Sequence, residues 1–171
     1  MENNMNSSKP ILKTVAKRAV SSIALLSLLW LAMSSTAMAQ SFTFNSTSDE
    51  IKSLGGDGQN GVPHGASSWS GNSVGVFADG SKNKTTFSCV MMSQPPNNTL
   101  FQNHMICDVK ATDGAYSAVM GCNTIDMKTF ETSCIGGLYG TGGTYSGRRG
   151  SITNYVKAMG ADSKGTGQWF E

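Results

Sequence analysis

From Gln40 onward no stretch keeps an apolar residue at every third or fourth position. Val, Ile, Thr, Phe and Tyr gather instead in short runs separated by Gly, Asn, Asp and Pro. Such runs predict strands, and the breaks between them predict turns. The runs are SFTFNST (41–47), SVGVFA (73–78), KTTFSCVMMS (84–93), TLFQNHMICDVKA (99–111), AYSAVMGCNTI (115–125), TFETSCIGGLY (129–139), SITNYVKAM (151–159) and TGQWFE (166–171). The connections DGSKN, QPPNN, TDG and DMK are too short for helical crossovers, so the pattern predicts an all-β, antiparallel up-and-down meander. About eight strands close a small barrel whose interior is filled by side chains or holds one small ligand. Residues 48–72, SDEIKSLGGDGQNGVPHGASSWSGN, are rich in turn formers and poor in apolar residues, and read as a long loop with one short strand. The expected organisation is an N-terminal strand and flexible loop over 40–72, then a barrel core over 73–171, forming one domain.

The four cysteines test this register. Cys89 and Cys107 are centred on position 98, inside QPPNN; Cys107 and Cys122 on 114.5, beside Asp113-Gly114; Cys122 and Cys134 on 128, inside DMK. A meander with those turns lays all four side by side across successive strands. Stepping in twos from each cysteine gives the residues on the same face. They are Phe87, Met91, Phe101, Met105, Val109, Tyr116, Ala118, Met120, Phe130 and Leu138, an apolar set, whereas Gln102, His104, Asp108, Lys110, Asn123, Glu131 and Ser133 share the other face. Only neighbours in the row lie close enough to bond. Either Cys89 joins Cys107 and Cys122 joins Cys134, or Cys107 joins Cys122 and two thiols are left over. The first arrangement uses every cysteine and is the one expected. A linear row without C-x2-C spacing does not surround a tetrahedral ion, so no metal site is expected.

The first thirty-nine residues change the picture of where the chain goes. Lys9, Lys13, Lys17 and Arg18 precede the apolar run AVSSIALLSLLWLAM (19–33), and Ala37-Met38-Ala39 has the small-x-small pattern of a signal-peptide cleavage site. Export is the expectation, to the periplasm or the outside, with 132 residues left after cleavage and no membrane span in the mature chain. Those residues carry nine basic and ten acidic side chains, so the basic balance of the full chain belongs to the leader. No Lys/Arg stripe remains to bind nucleic acid.

GLYGTGGTYSGRRG (137–150) raises the question of a phosphate site. A P-loop ends in Gly-Lys-Ser/Thr and enters a helix. Here no Lys-Ser/Thr follows, and SITNYVKAM behind it is strand-like. YGTGGTYSGRRGSIT instead resembles the signature G-x-G-G-x-[YF]-x-G-x-x-G of the allene oxide cyclase and dirigent barrel group, with its uncharacterised exported bacterial branch; the Asp-Gly turn upstream and the closing GTGQW are similar to that branch. The resemblance covers roughly residues 105–171. It implies a closed eight-stranded antiparallel barrel with a tight, partly helical bend at this segment. Gly142, Gly143, Gly147 and Gly150 would then take crowded or positive-φ positions, and Tyr145 would plug the bend. It also implies an apolar interior that works without a cofactor, in some members on a reactive substrate. The group's polar cavity residues lie mostly outside the matching segment, so none is carried over.

Candidate chemistry is sparse. After Gln40 there are two histidines, His64 in the expected loop and His104 on the outward face, and no G-x-S-x-G elbow. Asp126, Glu131 and Asp108 read as a solvated rim. The seven interior residues Phe87, Met91, Phe101, Met105, Tyr116, Met120 and Phe130 are the candidate ligand contacts, the methionines because flexible thioethers adapt to irregular apolar partners. Arg148 and Arg149 are candidates for drawing an anionic head to the barrel mouth. The function expected is an exported, disulfide-stabilised barrel that binds an apolar small molecule in its interior. The alternative is a cofactor-free cyclase or isomerase, and whether the chain is an enzyme stays open. A third possibility, a compact protein acting through its outer face, is favoured by a filled interior.

Overall fold

The computed structural model describes residues 39–57, 63–94, 100–157 and 162–170. They lie in one compact unit, Met38–Glu171, and the expected leader over 1–39 falls outside the described residues except for Ala39. Eight strands follow one another in order: β1 (Gln40–Asp57), β2 (Pro63–Phe77), β3 (Lys82–Ser93), β4 (Asn103–Ala111), β5 (Gly114–Asp126), β6 (Glu131–Gly143), β7 (Arg149–Lys157) and β8 (Asp162–Phe170). Each pairs antiparallel with the next, and β1 closes on β8 along Gln40–Thr47, so the sheet is a closed barrel as the strand count requires.

The expected loop over 48–72 is the largest difference. β1 runs to Asp57 and β2 starts at Pro63, leaving only 58–62 of that segment outside the described residues. The glycines and serines that read as turn formers are strand residues here. Gly71 faces Phe87, and an added Cβ there would lie 3.0 Å from the phenyl ring and 2.1 Å from the Thr47 carbonyl oxygen. Small residues mark close approach of neighbouring chain, not a break in the strand.

The same relation recurs through the lumen. Phe42 faces Gly167, Phe44 faces Gly165, Met120 faces Gly136 and Leu138 faces Gly150. Built onto these glycines, a Cβ would lie 2.2 Å from Phe42, 2.7 Å from Phe44, 2.8 Å from Met120 and 3.1 Å from Leu138. Each large side chain lies across its glycine partner and shields that backbone from water, the aromatic rescue of strand glycines extended to Met and Leu. Met105, Cys122 and Leu138 are fully buried and Trp169 is 1% exposed, so no water-sized void adjoins them. The centre of this barrel is a packed core.

Both disulfides of the expected arrangement are present, Cys89–Cys107 across β3 and β4, and Cys122–Cys134 across β5 and β6. The single row of four is not. The β4–β5 hairpin turns on Thr112 and Asp113, with Ala111 opposite Gly114, so Cys107 faces Ala118 and Cys122 faces Asn103. The pairs are offset by four residues, about 13 Å along the strands, which removes the Cys107–Cys122 alternative. All four sulfur-bearing side chains are buried.

The glycines offer a direct test. Gly136→Ala places a methyl 2.0 Å from the Val119 carbonyl oxygen and 2.7 Å from the Met120 Cα, neither of which moves freely. It should cost about 1–3 kcal/mol in urea unfolding. Gly142 has nothing within 4 Å of its Cβ position, and Gly142→Ala should be neutral or stabilising by up to about 1 kcal/mol. Equal losses at both positions would show that lumen space does not decide which glycines are required.

Candidate functional site

The seven expected ligand contacts separate into three groups. Met105 and Met120 point into the lumen and are buried, part of the packing just described. Phe87, Met91 and Tyr116 also lie inside, half-buried against the core. Phe101 and Phe130 lie outside it, and both expectations are corrected here. β4 starts at Asn103, later than the pattern suggested, so Phe101 belongs to the preceding connection. Its ring covers Gly121, which belongs to the outward-facing row of His104 and Ile135. The connection is pinned there by Gln102 N–H donating to the Cys122 carbonyl (3.0 Å) and Asn123 Nδ2 donating to the Leu100 carbonyl (3.1 Å). Phe130 sits in the β5–β6 turn at φ 54° and is 47% exposed. A register shift between Thr124 and Asp126 sets that turn, and stepping in twos cannot see such a shift.

The two arginines separate as well. Arg149 opens β7 opposite Tyr139 and lies over that ring on the outside, 4.8 Å from its centroid. Arg148 reaches the barrel mouth. Its guanidinium lies 5.3 Å over the Trp169 ring, and Nη1 donates to Gln40 Oε1 at 3.2 Å.

The glycine segment builds that mouth. No helix forms; Tyr145, Ser146 and Arg148 N–H groups donate to the carbonyls of Gly142, Gly143 and Tyr145, folding 142–148 into successive turns. Gly143 takes φ 60° and Gly147 φ 77°, as expected, and Gly150 is crowded by the Gln168 carbonyl and Leu138. Gly142 is neither crowded nor at positive φ, against expectation. The tight position missed is Gly140, where a Cβ would lie 1.5 Å from the Tyr145 carbonyl oxygen. The reward of this folding is the placement of Tyr145, 3% exposed, with its ring 5.3 Å from Tyr116 and 5.0 Å from Trp169. Three aromatic rings close this end of the lumen.

A polar layer covers the rings. Asn83 Nδ2 donates to Tyr145 Oη (2.9 Å) and to Asp113 Oδ1 (3.1 Å), and Thr144 Oγ1 donates to Asp113 Oδ2 (3.0 Å). The carboxylate fixes which way the Asn83 amide points, since a flipped amide would set oxygen against oxygen. Asn83 Oδ1 is thereby buried with no hydrogen-bond partner among the described residues. Above these groups is a cavity of about 340 Å³, walled by Gln40, Lys82, Asn83, Asp113, Tyr145 and Arg148, with Phe77 as its apolar side. Burial pushes the Tyr145 hydroxyl above its ordinary pKa, and the nearby Asp113 charge adds to the rise. Burial also lifts Tyr116, further still.

Sequence reasoning missed most of this site. Asn83 opens an Asn-Lys-Thr sequon and Asp113-Gly114 read only as a turn, so both had accounts that needed no site. Residues brought together from β1, β3 and two turns leave no common spacing to detect. Among the described residues no group of three His, Cys, Asp or Glu side chains could hold a metal ion. No protein-family model matches this chain, and no curated protein does.

Two outcomes follow from the site. A tyrosine whose folded-state pKa is raised contributes stability that is intact below the unfolded value, near 10, and lost as the pH climbs above it. Tyr116→Phe, which keeps the ring, should lessen the fall in urea midpoint between roughly pH 9 and pH 11; an identical fall in both proteins would remove Tyr116 from this account. Phe130→Gly relieves a side chain held at positive φ and should stabilise by about 1 kcal/mol, whereas a residue lining the lumen would destabilise when truncated.

Proposed function

We propose that this protein is an exported, disulfide-stapled barrel of the allene oxide cyclase and dirigent-like kind that binds a small polar molecule at its mouth, not an apolar one at its centre. The observation that carries this reading is the pairing of a packed lumen with a polar cavity above it. Met105, Cys122 and Leu138 are fully buried inside the barrel, whereas the mouth has about 340 Å³ lined largely by polar side chains. The volume falls within the range of small-molecule sites. The same packing counts against a cyclase or isomerase, which needs room for its substrate among the interior side chains.

The chemistry of the mouth defines the class of ligand. Arg148 and Lys82 supply cationic donors, while Asp113 is already engaged by Asn83 and Thr144. An acidic or carbonyl group would therefore sit toward Arg148 and Lys82, where a planar guanidinium suits a carboxylate. A small carboxylate carrying hydroxyl or amino groups fits these polar walls, which Gln40 completes. The basic, apolar leader and the two disulfides support delivery to an oxidising compartment outside the cytoplasm.

NMR titration of the oxidised protein with lactate, tartrate and glutamate, beside a fluorescent fatty acid, tests the assignment. Saturable shifts at Gln40, Asn83, Tyr145 and Arg148 are expected from at least one carboxylate, and Arg148→Met should weaken them about tenfold or more. Shifts that instead follow the fatty acid to Phe87 and Met91 would return the site to the lumen, and no saturable response to any probe would refute the binding role.

A further inference from the structure

Gln40 is the first residue of β1, opposite Trp169 on β8, and is half-buried. Its side chain forms one wall of the mouth cavity, where Oε1 accepts from Arg148 Nη1 at 3.2 Å. In the sequence it directly follows Ala37-Met38-Ala39, the small-x-small pattern that closes the leader. Cleavage there leaves a chain beginning with glutamine, so that an α-amine and a side-chain amide share one residue at the rim of the barrel.

We infer that Gln40, once the leader is removed after Ala39 as the export reading requires, closes on itself to a pyroglutamyl lactam, and that Arg148 promotes the closure. The free α-amine attacks Cδ of its own side chain. The N–Cδ bond forms, the Cδ–Nε2 bond breaks, and Nε2 leaves as ammonia with the proton that the α-nitrogen gives up. Nothing is oxidised or reduced, and no second reactant is consumed. As the tetrahedral intermediate forms, negative charge gathers on Oε1, the atom to which the Arg148 guanidinium already donates. The Trp169 ring, 5.3 Å from that guanidinium, holds the donor in place. The product also suits the mouth better than an open end. An α-ammonium on this wall would be a third cation beside Arg148 and Lys82, while Asp113 is already engaged by Asn83 and Thr144. Like charges gathered on one cavity repel. The lactam is neutral and keeps a carbonyl oxygen as an acceptor, so closure removes the added charge without removing the hydrogen-bonding group.

Expression of the full chain in an exporting bacterium, purification in the cold, and mass spectrometry of the intact protein and its N-terminal peptide test this. The chain should begin at Gln40 and, on warming at neutral pH, become lighter by one ammonia, a loss that Gln40→Ser abolishes. Folded wild type should convert about tenfold or more faster than the same protein unfolded in urea, and Arg148→Met should bring the folded rate down to the unfolded one. The urea comparison holds even if the Arg148 variant folds poorly. A first residue other than Gln40 would overturn the cleavage site together with the lactam, whereas a Gln40 that stays open would overturn the lactam alone. Equal rates in folded and unfolded protein, or an Arg148→Met protein that converts as fast as wild type, would overturn the part assigned to Arg148.

Discussion

Space inside the barrel is the constraint on which the other features depend. Eight strands enclose a volume in which the bulkiest inward side chains often lie opposite a residue reduced to a hydrogen atom. Phe42, Phe44, Phe87, Met120 and Leu138 each have such a partner in Gly167, Gly165, Gly71, Gly136 and Gly150. Alternation of large with absent side chains lets the layers interdigitate at interior density. It also explains a chain of ordinary size with twenty glycines. Many of them are the complement of bulky neighbours on the next strand.

The cystines belong to the same arrangement. Each links adjacent strands from inside the lumen, at sequence separations of 18 and 12. Loops of that length give about 3 kcal/mol each in the chain-entropy account, a large contribution for a domain of this size. Offset along the barrel, they hold β3 to β4 and β5 to β6, while Met105, opposite Met120, bridges β4 and β5. With the interior committed to packing, a cavity lies at the rim, where Tyr145 supplies its floor and Asn83, Asp113 and Arg148 its walls.

Much of the fold was legible because side-chain alternation survives into the structure wherever strands are regular. Cys89 with Cys107 and Cys122 with Cys134, and the buried Met105 and Met120, follow from counting in twos and from turn residues, while the buried Tyr145 was implied by the resemblance of the glycine segment to a barrel signature. Counting failed where the backbone slips. Phe130 was misplaced by the shift beside Asp126, and the row of cysteines by a hairpin that turns on Thr112 and Asp113. Composition failed over 48–72, because glycine and serine are read as loop residues when no partner strand is in view, yet Gly71 and Phe87 make sense only as a pair. The mouth was illegible for a different reason. Its members come from β1, β3 and two turns, each with a sufficient local explanation, and only their convergence gives them a role.

The pairing of Phe42 and Phe44 with Gly167 and Gly165 has a kinetic corollary. These contacts join the first strand of the barrel to the eighth, so they span the longest chain separation in the domain, and encounters of that kind are the slowest to form. Until β8 arrives, two phenyl rings on β1 have no glycine cleft to enter and remain wet. Hairpins can assemble and cystines can form first, leaving a curled but open ribbon. Zipping of β1 to β8 is then the step that commits the ribbon to its native state, and its reversal is the natural first tear when the protein comes apart.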